Sequence, residues 1–224
     1  MLLEIPAILD ADKLANIRAM LDKVEFIDGK HSAGQAAQRV KNNLEMRQGG
    51  RQAEFLDHLL MGSLAENAQF RSAALPYRVA QPVFARYRKG MRYGDHVDDP
   101  IMGGGAEKFR TDVSVTVFLN DPDEYEGGEL VINTTFGEKK VKLPAGWAVM
   151  YPSTSVHHVA EVCGGERLAA IVWLQSMVRD AAKRELLFEL DQARNSLLQA
   201  KPEAEETKQV DRSYVNLIRM WSEI

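Results

Sequence analysis

The first third of the chain repeats apolar residues at helical spacing in two places. The first stretch has four of them: Leu14, Ile17, Leu21 and Val24. Asp10 precedes this stretch and is in position to cap the helix. The second stretch has five: Phe55, Leu56, Leu59, Leu60 and Leu64. Both patterns predict amphipathic helices that cover one face of a sheet and direct these residues into its core.

From Pro76 onward the pattern changes to short runs of β-branched and aromatic residues, separated by Gly, Pro, Asn and Asp. Strands are predicted at 79–87, 113–119, 129–133, 136–143, 147–151, 157–162 and 167–174. The run 113–119 alternates strictly, with Ser114, Thr116 and Phe118 opposite the valine face. The valine face is expected to pack under the N-terminal helices. The other face is polar enough to line a barrel interior that holds a polar ligand.

Parity also assigns a face to Arg167 in the last predicted strand. Its side chain points the same way as those of Ala169, Ile171 and Trp173. A buried arginine requires an anionic partner, so we expect an anion near it. Trp173 and Phe118 are interpreted as core residues.

Two glycine-rich segments are interpreted as connections. Residues 163–166 are expected to turn a hairpin between strands 157–162 and 167–174. Residues 102–108 have no hydrophobic periodicity and few apolar residues, which predicts a mobile loop. The functional interpretation of this loop is a lid over a substrate.

Helical periodicity returns after Ser176, followed by a polar linker at 202–206 and a final helix. The final helix carries an apolar stripe: Val210, Tyr214, Leu217, Ile218 and Trp221. We expect a main domain at 1–178, with a catalytic core of about 78–177, and a helical extension at 179–224. A short helix cannot bury this stripe alone, so it folds back or crosses to a second subunit, and a homodimer is expected.

Composition narrows the functional classes. The chain of 224 residues is 45% hydrophobic, which is enough for one main domain. Its net charge of −4 and scattered Lys and Arg residues argue against nucleic acid as a partner. The sequence lacks an apolar run of the ~20 residues that a membrane span needs. A single cysteine, Cys163, excludes an intrachain disulfide, and we expect a cytoplasmic protein.

The candidate chemistry lies in the stretch 93–99. On a strand, His96 and Asp98 share a face, because side chains two residues apart point the same way. A third ligand is expected from His157 or His158, whereas His31 and His58 are interpreted as solvated. Two histidines and one carboxylate leave one side of a metal open, as suits a non-haem iron(II) oxygenase. From spacing alone, a structural trio or an idle metal site is an equal alternative.

Other motifs extend this constellation over most of the chain. They are FARY at 84–87, YGDHVD at 93–98, RTDVS at 110–114, FLND at 118–121, EGGEL at 126–130, KLPAG at 142–146 and RMWSEI at 219–224. Together with the segment 151–159, they resemble the PKHD-type hydroxylases, which include the bacterial PiuC proteins. This group is part of the prolyl/lysyl-hydroxylase-like branch of the iron(II)- and 2-oxoglutarate-dependent dioxygenases.

The resemblance implies a mainly β fold, a double-stranded β-helix (jelly roll) with flanking helices. It implies His96, Asp98 and His157 as ligands of Fe(2+), and Arg167 as the partner of the distal carboxylate of 2-oxoglutarate. His157 is chosen over His158 because the family spacing has His-X-Val followed by Gly-X-Arg. The sequence has Ala160-Glu161 where a proline is usual, which loosens the turn without touching a ligand.

Further expectations are carried by the same resemblance. L-ascorbate is an expected cofactor. Tyr87 and Thr116 are expected to bind the cosubstrate, Tyr87 through its phenol, while strand parity directs Thr116 and Ser114 to the polar interior face. The expected reaction hydroxylates an aliphatic carbon with dioxygen, on a lysyl, prolyl, free amino acid or other substrate, and a link to iron uptake is suggested. The alternatives are a non-catalytic module that senses iron or 2-oxoglutarate, and a zinc or manganese enzyme of the cupin type. The cupin alternative is disfavoured because it leaves Arg167 without an anion.

Overall fold

The computed structural model describes residues 1–224, apart from the side chain of Ala36. The helices are α1 (Ala11–Leu21), α2 (Gln35–Gln38), α3 (Gly50–Glu66), α4 (Ala68–Ala74), α5 (Ala181–Ala200) and α6 (Glu205–Trp221). Short 3-10 turns cover Gly29–Ser32 and Gly105–Glu107. The strands are β1 (Leu3–Ile5), β2 (Phe26–Asp28), β3 (Lys41–Asn42), β4 (Leu44–Met46), β5 (Pro76–Val79), β6 (Val83–Arg88), β7 (Arg92–His96), β8 (Ile101–Met102), β9 (Phe109–Arg110), β10 (Val113–Phe118), β11 (Tyr125–Gly127), β12 (Leu130–Thr134), β13 (Gly137–Val141), β14 (Ala148–Pro152), β15 (His157–Val159) and β16 (Val162–Ser176).

Two antiparallel sheets form the body of the molecule. The large sheet has the order β1-β14-β10-β16-β6-β4-β2, with β5 and β11 also paired to β16. The small sheet has the order β13-β12-β15-β7-β3. Apart from the β12–β13 hairpin, neighbouring strands in each sheet are not consecutive in the chain, as in a jelly roll. The predicted mainly β jelly roll with flanking helices is therefore confirmed.

The outer face of the large sheet carries the main hydrophobic core. Val113, Val115 and Val117 pack there with residues of α1 and α3, including Ile17 and Leu60. The prediction that the valine face lies under the N-terminal helices is confirmed. The prediction for Phe55 is wrong: 46% of this residue is exposed. Residues 56, 60 and 64 follow the i, i+4 rule and face the sheet, and Phe55 is rotated about 100° away from that stripe.

A second core lies between the two sheets. It includes Phe118, Leu130 and Val149, so Phe118 is a core residue as expected. The polar residues of β10, Ser114 and Thr116, point into the same interior and are buried. The interior of the jelly roll is therefore partly apolar and partly polar.

The predicted hairpin at residues 163–166 is wrong. β16 runs through these residues without a turn, while β15 pairs with β12 and β7 in the small sheet. The glycines serve a close strand approach instead. A Cβ on Gly165, whose φ is +69°, would lie 2.3 Å from the carbonyl oxygen of Glu124 beside β11. A glycine-rich stretch interrupts the strand pattern in a hairpin turn and in a close strand approach alike. Only the strand pairing distinguishes the two.

Two further expectations about the strands differ from the structure. The predicted mobile loop at 102–108 is a short hairpin, because β8 pairs with β9 around the 3-10 turn. The role of residues 102–108 as a lid over a substrate stays a prediction. Strands also precede residue 76, namely β1 to β4, and were missed because runs of two or three residues show no period.

The C-terminal helices fold back on their own chain. Tyr214, Leu217, Ile218 and Trp221 of α6 pack against a small cluster of Leu75, Val178 and Leu187. The stripe on α6 therefore contacts its own domain, and the homodimer stays an untested prediction that this stripe no longer supports. None of the described helices combines the length and the apolar character needed to cross a membrane.

Candidate metal centre and adjoining cavity

Strand pairing brings together the three residues that the motifs single out. His96 ends β7, His157 begins β15, and the two residues are directly opposite in the ladder. Asp98 follows β7 by two residues, and its Oδ1 lies 3.8 Å from Nε2 of each histidine. One donor atom from each residue lies within 4.8 Å of the others. The spacing is short enough for one ion to contact all three.

Backbone carbonyls fix the orientation of both imidazoles. Nδ1 of His96 lies 2.8 Å from the carbonyl oxygen of Gly94, and Nδ1 of His157 lies 3.0 Å from that of Ser155. A carbonyl only accepts, so each Nδ1 carries the proton and each Nε2 presents its lone pair. Burial, and to a lesser extent the neighbouring His157, lower the pKa of His96 to about 4. A neutral ring with a free Nε2 is the form that binds metals.

A pair of serine hydroxyls orients the carboxylate. Ser114 Oγ donates to Asp98 Oδ2 at 2.5 Å and lies 2.8 Å from Ser153 Oγ. Both serines are buried. With Oδ2 held in this way, Oδ1 faces the two histidines. Ser153 could not be predicted from the sequence, because it lies just beyond β14 and only the β10–β14 pairing brings it to Ser114.

Arg167 is buried without an anion. It is only 1% exposed, and its guanidinium carbon lies 5.1 Å from the centroid of the Tyr87 ring and 5.6 Å from that of Phe118. Its Nε has no hydrogen-bond partner among the residues that the structure describes. Aromatic faces stabilise a cation only partly. The charge is therefore available to an anionic ligand.

A cavity of about 270 Å³ joins Arg167 to the three clustered residues. Tyr87 and Thr116 also line it, and both are buried. Burial raises the pKa of Tyr87 to about 12 although the charge of Arg167 opposes this, so its phenol stays protonated and can donate a hydrogen bond. Trp173 was expected in the core, but it is partly exposed and lines the cavity.

The second histidine of the pair lies outside the cluster. Nδ1 of His158 is 2.8 Å from Oδ1 of Asp95, whose side chain is largely exposed. Adjacent strand residues face opposite sides, which explains the separation of His158 from His157. Asp95 is therefore the partner of His158. Asp99 is exposed and also borders the cavity.

One wall of the cavity was not foreseen from the sequence. It is built by residues 32–45, hereafter the N-terminal wall, and includes Lys41, Asn43 and Glu45. Lys41 Nζ donates to Glu45 Oε1 at 2.5 Å and to Ser32 Oγ at 3.0 Å. β3 and β4 are too short to show a period, so nothing in the pattern signalled that these charged residues are buried.

Comparison with known families gives two matches along the chain. Residues 82–175 match the 2OG-Fe(II) oxygenase superfamily, and residues 181–223 match the PKHD-type hydroxylase C-terminal domain. A PKHD-type hydroxylase of Thioalkalivibrio sulfidiphilus is 50% identical, and the match covers 100% of both chains. A PKHD-type hydroxylase of Pseudomonas putida is 45% identical, again over 100% of both chains.

Solved structures share the fold at low identity. A prolyl hydroxylase of Trichoplax adhaerens, in complex with a peptide of hypoxia inducible factor, is similar with a TM-score of 0.57 and 16% identity. That match covers 83% of this chain and 86% of the other. A prolyl-4-hydroxylase of Pseudomonas putida gives a TM-score of 0.52 and 20% identity over 78% of this chain and 92% of the other.

Proposed function

The chain belongs to the PKHD-type hydroxylases of the 2OG-Fe(II) oxygenase superfamily, and from this premise we propose that it hydroxylates an aliphatic carbon of a peptidyl or small-molecule substrate. One observation carries the proposal: a cluster of metal donors and a buried guanidinium without an anion share a single cavity. Enzymes of this family use iron(II), 2-oxoglutarate and dioxygen. A link to iron uptake is proposed on the resemblance to PiuC proteins alone.

We assign iron to His96, Asp98 and His157. Two neutral imidazoles and one carboxylate suit iron(II), keep the net charge of the site low and leave other coordination positions free. The free Nε2 atoms and Asp98 Oδ1 converge within the required range. When bound, the iron and the keto acid supply the oxidising chemistry, in which 2-oxoglutarate is converted to succinate and carbon dioxide and one oxygen atom goes to the substrate.

We assign the distal carboxylate of 2-oxoglutarate to Arg167. A guanidinium offers a forked set of donors that matches a carboxylate, and burial removes competing water. The protonated phenol of Tyr87 and the hydroxyl of Thr116 are the proposed additional donors. L-ascorbate is proposed as a cofactor on family resemblance only.

The remaining roles belong to the protein scaffold. Ser114 keeps Asp98 oriented, and the two carbonyls at Gly94 and Ser155 keep both Nε2 atoms free. Apolar residues of the second core, such as Leu130 and Val159, border the cavity and exclude water. We propose residues 1–178 as the catalytic unit and 179–224 as an extension that braces it.

Oxygen uptake and succinate release, measured on iron-loaded protein, test the proposal. Cell extract and candidate peptides are screened at the same time for a mass gain of one oxygen. Succinate release that depends on a substrate and matches the oxygen consumed supports a hydroxylase. Binding of iron and 2-oxoglutarate with no succinate under any condition would instead favour a sensor module.

A further inference from the structure

The N-terminal wall contains a buried ion pair that the proposed reaction does not use. Lys41 is 6% exposed and Glu45 is 8% exposed, and they contact each other at 2.5 Å. Lys41 is on β3, which pairs with β7 in the small sheet, while Glu45 is on β4, which pairs with β6 in the large sheet. The pair therefore links the two sheets within one wall of the cavity.

The pair lies close to the candidate metal centre. Lys41 Nζ is 5.0 Å from the centroid of the Tyr93 ring, and this ring stacks on His96 with centroids 3.7 Å apart. Glu45 is opposite Ala85 in the β4–β6 ladder, and Ala85 also lines the cavity. One aromatic ring thus separates the pair from a proposed iron ligand.

Hydrogen-bonding capacity remains free along this side of the cavity. An ammonium has three donors, and Lys41 uses two of them, on Ser32 and Glu45. Glu45 uses only Oε1 in these bonds. Trp173 Nε1, on β16 of the large sheet, is buried and has no hydrogen-bond partner among the described residues. Buried polar groups are normally paired, so these atoms indicate a polar ligand.

The location of the wall in the sequence indicates a role in specificity. Residues 32–45 lie outside the 82–175 segment that matches the general oxygenase superfamily. They also lie outside the C-terminal match at 181–223. Elements added around a shared catalytic core are where substrate choice is usually made.

The charge of the wall restricts the chemistry of its ligand. Lys41 and Glu45 neutralise each other, so a charged ligand group would add an uncompensated charge to a desolvated pair. A neutral group that both donates and accepts a hydrogen bond fits both residues. We infer that the N-terminal wall binds a neutral amide of the substrate, whose carbonyl accepts from Lys41 and whose N–H donates to Glu45.

This inference rests on the proposed function and adds a substrate class to it. Trp173 Nε1, in the same large sheet as Glu45, supplies a further donor for a second acceptor. The cavity volume of about 270 Å³ is just below the ~300–1,000 Å³ typical of ligand pockets. A cavity of this size therefore holds the keto acid and one amide-bearing part of a substrate. The amide belongs either to a peptide bond or to a small carboxamide.

Probe binding to the full-length protein tests the inference. Protein loaded with iron(II) and 2-oxoglutarate under nitrogen is mixed with N-acetylalanine methylamide, propionamide or free alanine. Paramagnetic broadening of the probe's proton NMR signals reports on proximity to the iron. We expect broadening by one or both amides and none by alanine; the peptide-type probe and the carboxamide distinguish the two sources of the amide. Binding of alanine as tight as that of both amides would overturn the inference.

Exchanging the two charged residues tests whether Lys41 and Glu45 bind the amide or only stabilise the fold. Lys41→Glu combined with Glu45→Lys keeps an ion pair but reverses donor and acceptor, and we expect amide affinity to fall at least tenfold. Glu45→Gln is measured in parallel in case the exchanged pair does not fold. The matched control exchanges the exposed pair Lys139 and Glu4, which lies away from the cavity, and it should bind the amides unchanged.

Two further outcomes contradict the inference. Full amide affinity in the exchanged protein and in Glu45→Gln would make the pair purely structural. An equal loss of 2-oxoglutarate affinity, read from the iron–keto-acid charge-transfer absorption, would place the pair in the cosubstrate site. Absence of that absorption in the unmodified protein contradicts the proposed function itself, so the two failures are distinguishable.

Discussion

Two buried arginines in this molecule have opposite surroundings. Arg184, on α5, donates to the carbonyl oxygens of Val178 at 2.7 Å and Arg179 at 2.8 Å, and its other terminal nitrogen approaches that of Asp112 at 3.4 Å. Arg167, in the jelly-roll interior, has two aromatic rings beside it and no ion pair among the described residues. A guanidinium that its own chain satisfies holds structure together, whereas an unsatisfied one is available to a ligand.

The same contrast extends to the groups around each arginine. At the junction with the helical extension, the Asp112 carboxylate accepts from Arg110 at 2.6 Å and from the backbone of Ser176 at 2.9 Å. In the interior, the donor atoms of the metal cluster face one another across a gap. The junction is therefore closed by internal bonds, whereas the interior leaves its donor groups open to a ligand.

The largest effect is expected from the interior ligands. His96→Ala, Asp98→Ala and His157→Ala should each abolish iron binding, because three protein donors are needed to hold the ion at this site. His158→Ala serves as the matched control and should retain iron, since its imidazole bonds to Asp95 instead. Titration with iron(II) under nitrogen measures both. Loss of iron in His158→Ala with retention in His157→Ala would reverse the assignment.

Arg167→Ala tests the unsatisfied arginine directly. We expect iron to remain bound while 2-oxoglutarate binding weakens by about 3–5 kcal/mol, the typical loss when one partner of a desolvated charge pair is removed. The iron–keto-acid charge-transfer absorption gives the affinity. Unchanged affinity by this signal would remove Arg167 from the cosubstrate site.

The change in the free energy of unfolding of the metal-free protein should differ between substitutions of the two arginines. Arg184→Met should lower the free energy of unfolding by about 2–3 kcal/mol, because buried carbonyls lose a charged donor. Arg167→Met should leave it unchanged or raise it, because an unpaired buried charge is replaced by an apolar side chain of similar length. Urea denaturation measures both. A large loss of stability in Arg167→Met would show that Arg167 is structural after all.

Truncation after Lys201 should affect the site least. It removes α6 and exposes the small cluster around Leu187 but keeps Arg184 and the junction. We expect the truncated protein to bind iron(II) and 2-oxoglutarate and to be less soluble or to change size in sedimentation. A truncated protein that is soluble and unchanged in subunit count, but has lost iron binding, would contradict this expectation.

Much of the fold could be predicted because its signals are local. Strict alternation at 113–119 assigns the valine face to the core under the helices, and it assigns Ser114 and Thr116 to the interior. Helical spacing placed α3, and the Asp10 side chain caps α1 as expected, accepting from the backbone of Lys13 at 2.8 Å. The ordered motifs named the three residues that strand pairing brings together.

The errors come from contacts between distant segments. The glycines at 163–166 break the local pattern in the same way as a hairpin would, but a close approach of β11 requires them here. The hairpin at 102–108 depends on the pairing of Ile101 with Arg110, which composition does not show. Trp173 shares the face of Arg167 by parity, but only the packed structure places it beside a cavity.

The sequence by itself determined which faces of the longer strands and helices are buried. It also determined the family and the identity of the clustered histidines and carboxylate. Periodicity and motif spacing are properties of the chain itself, so these features need no tertiary contact. The tertiary structure alone decided that Lys41 and Glu45 form a buried pair in the cavity wall. β3 and β4 are too short to show a period, and the two residues are buried only because their strands join different sheets. Burial of a charge depends on what packs around it, and those neighbours lie far away along the chain.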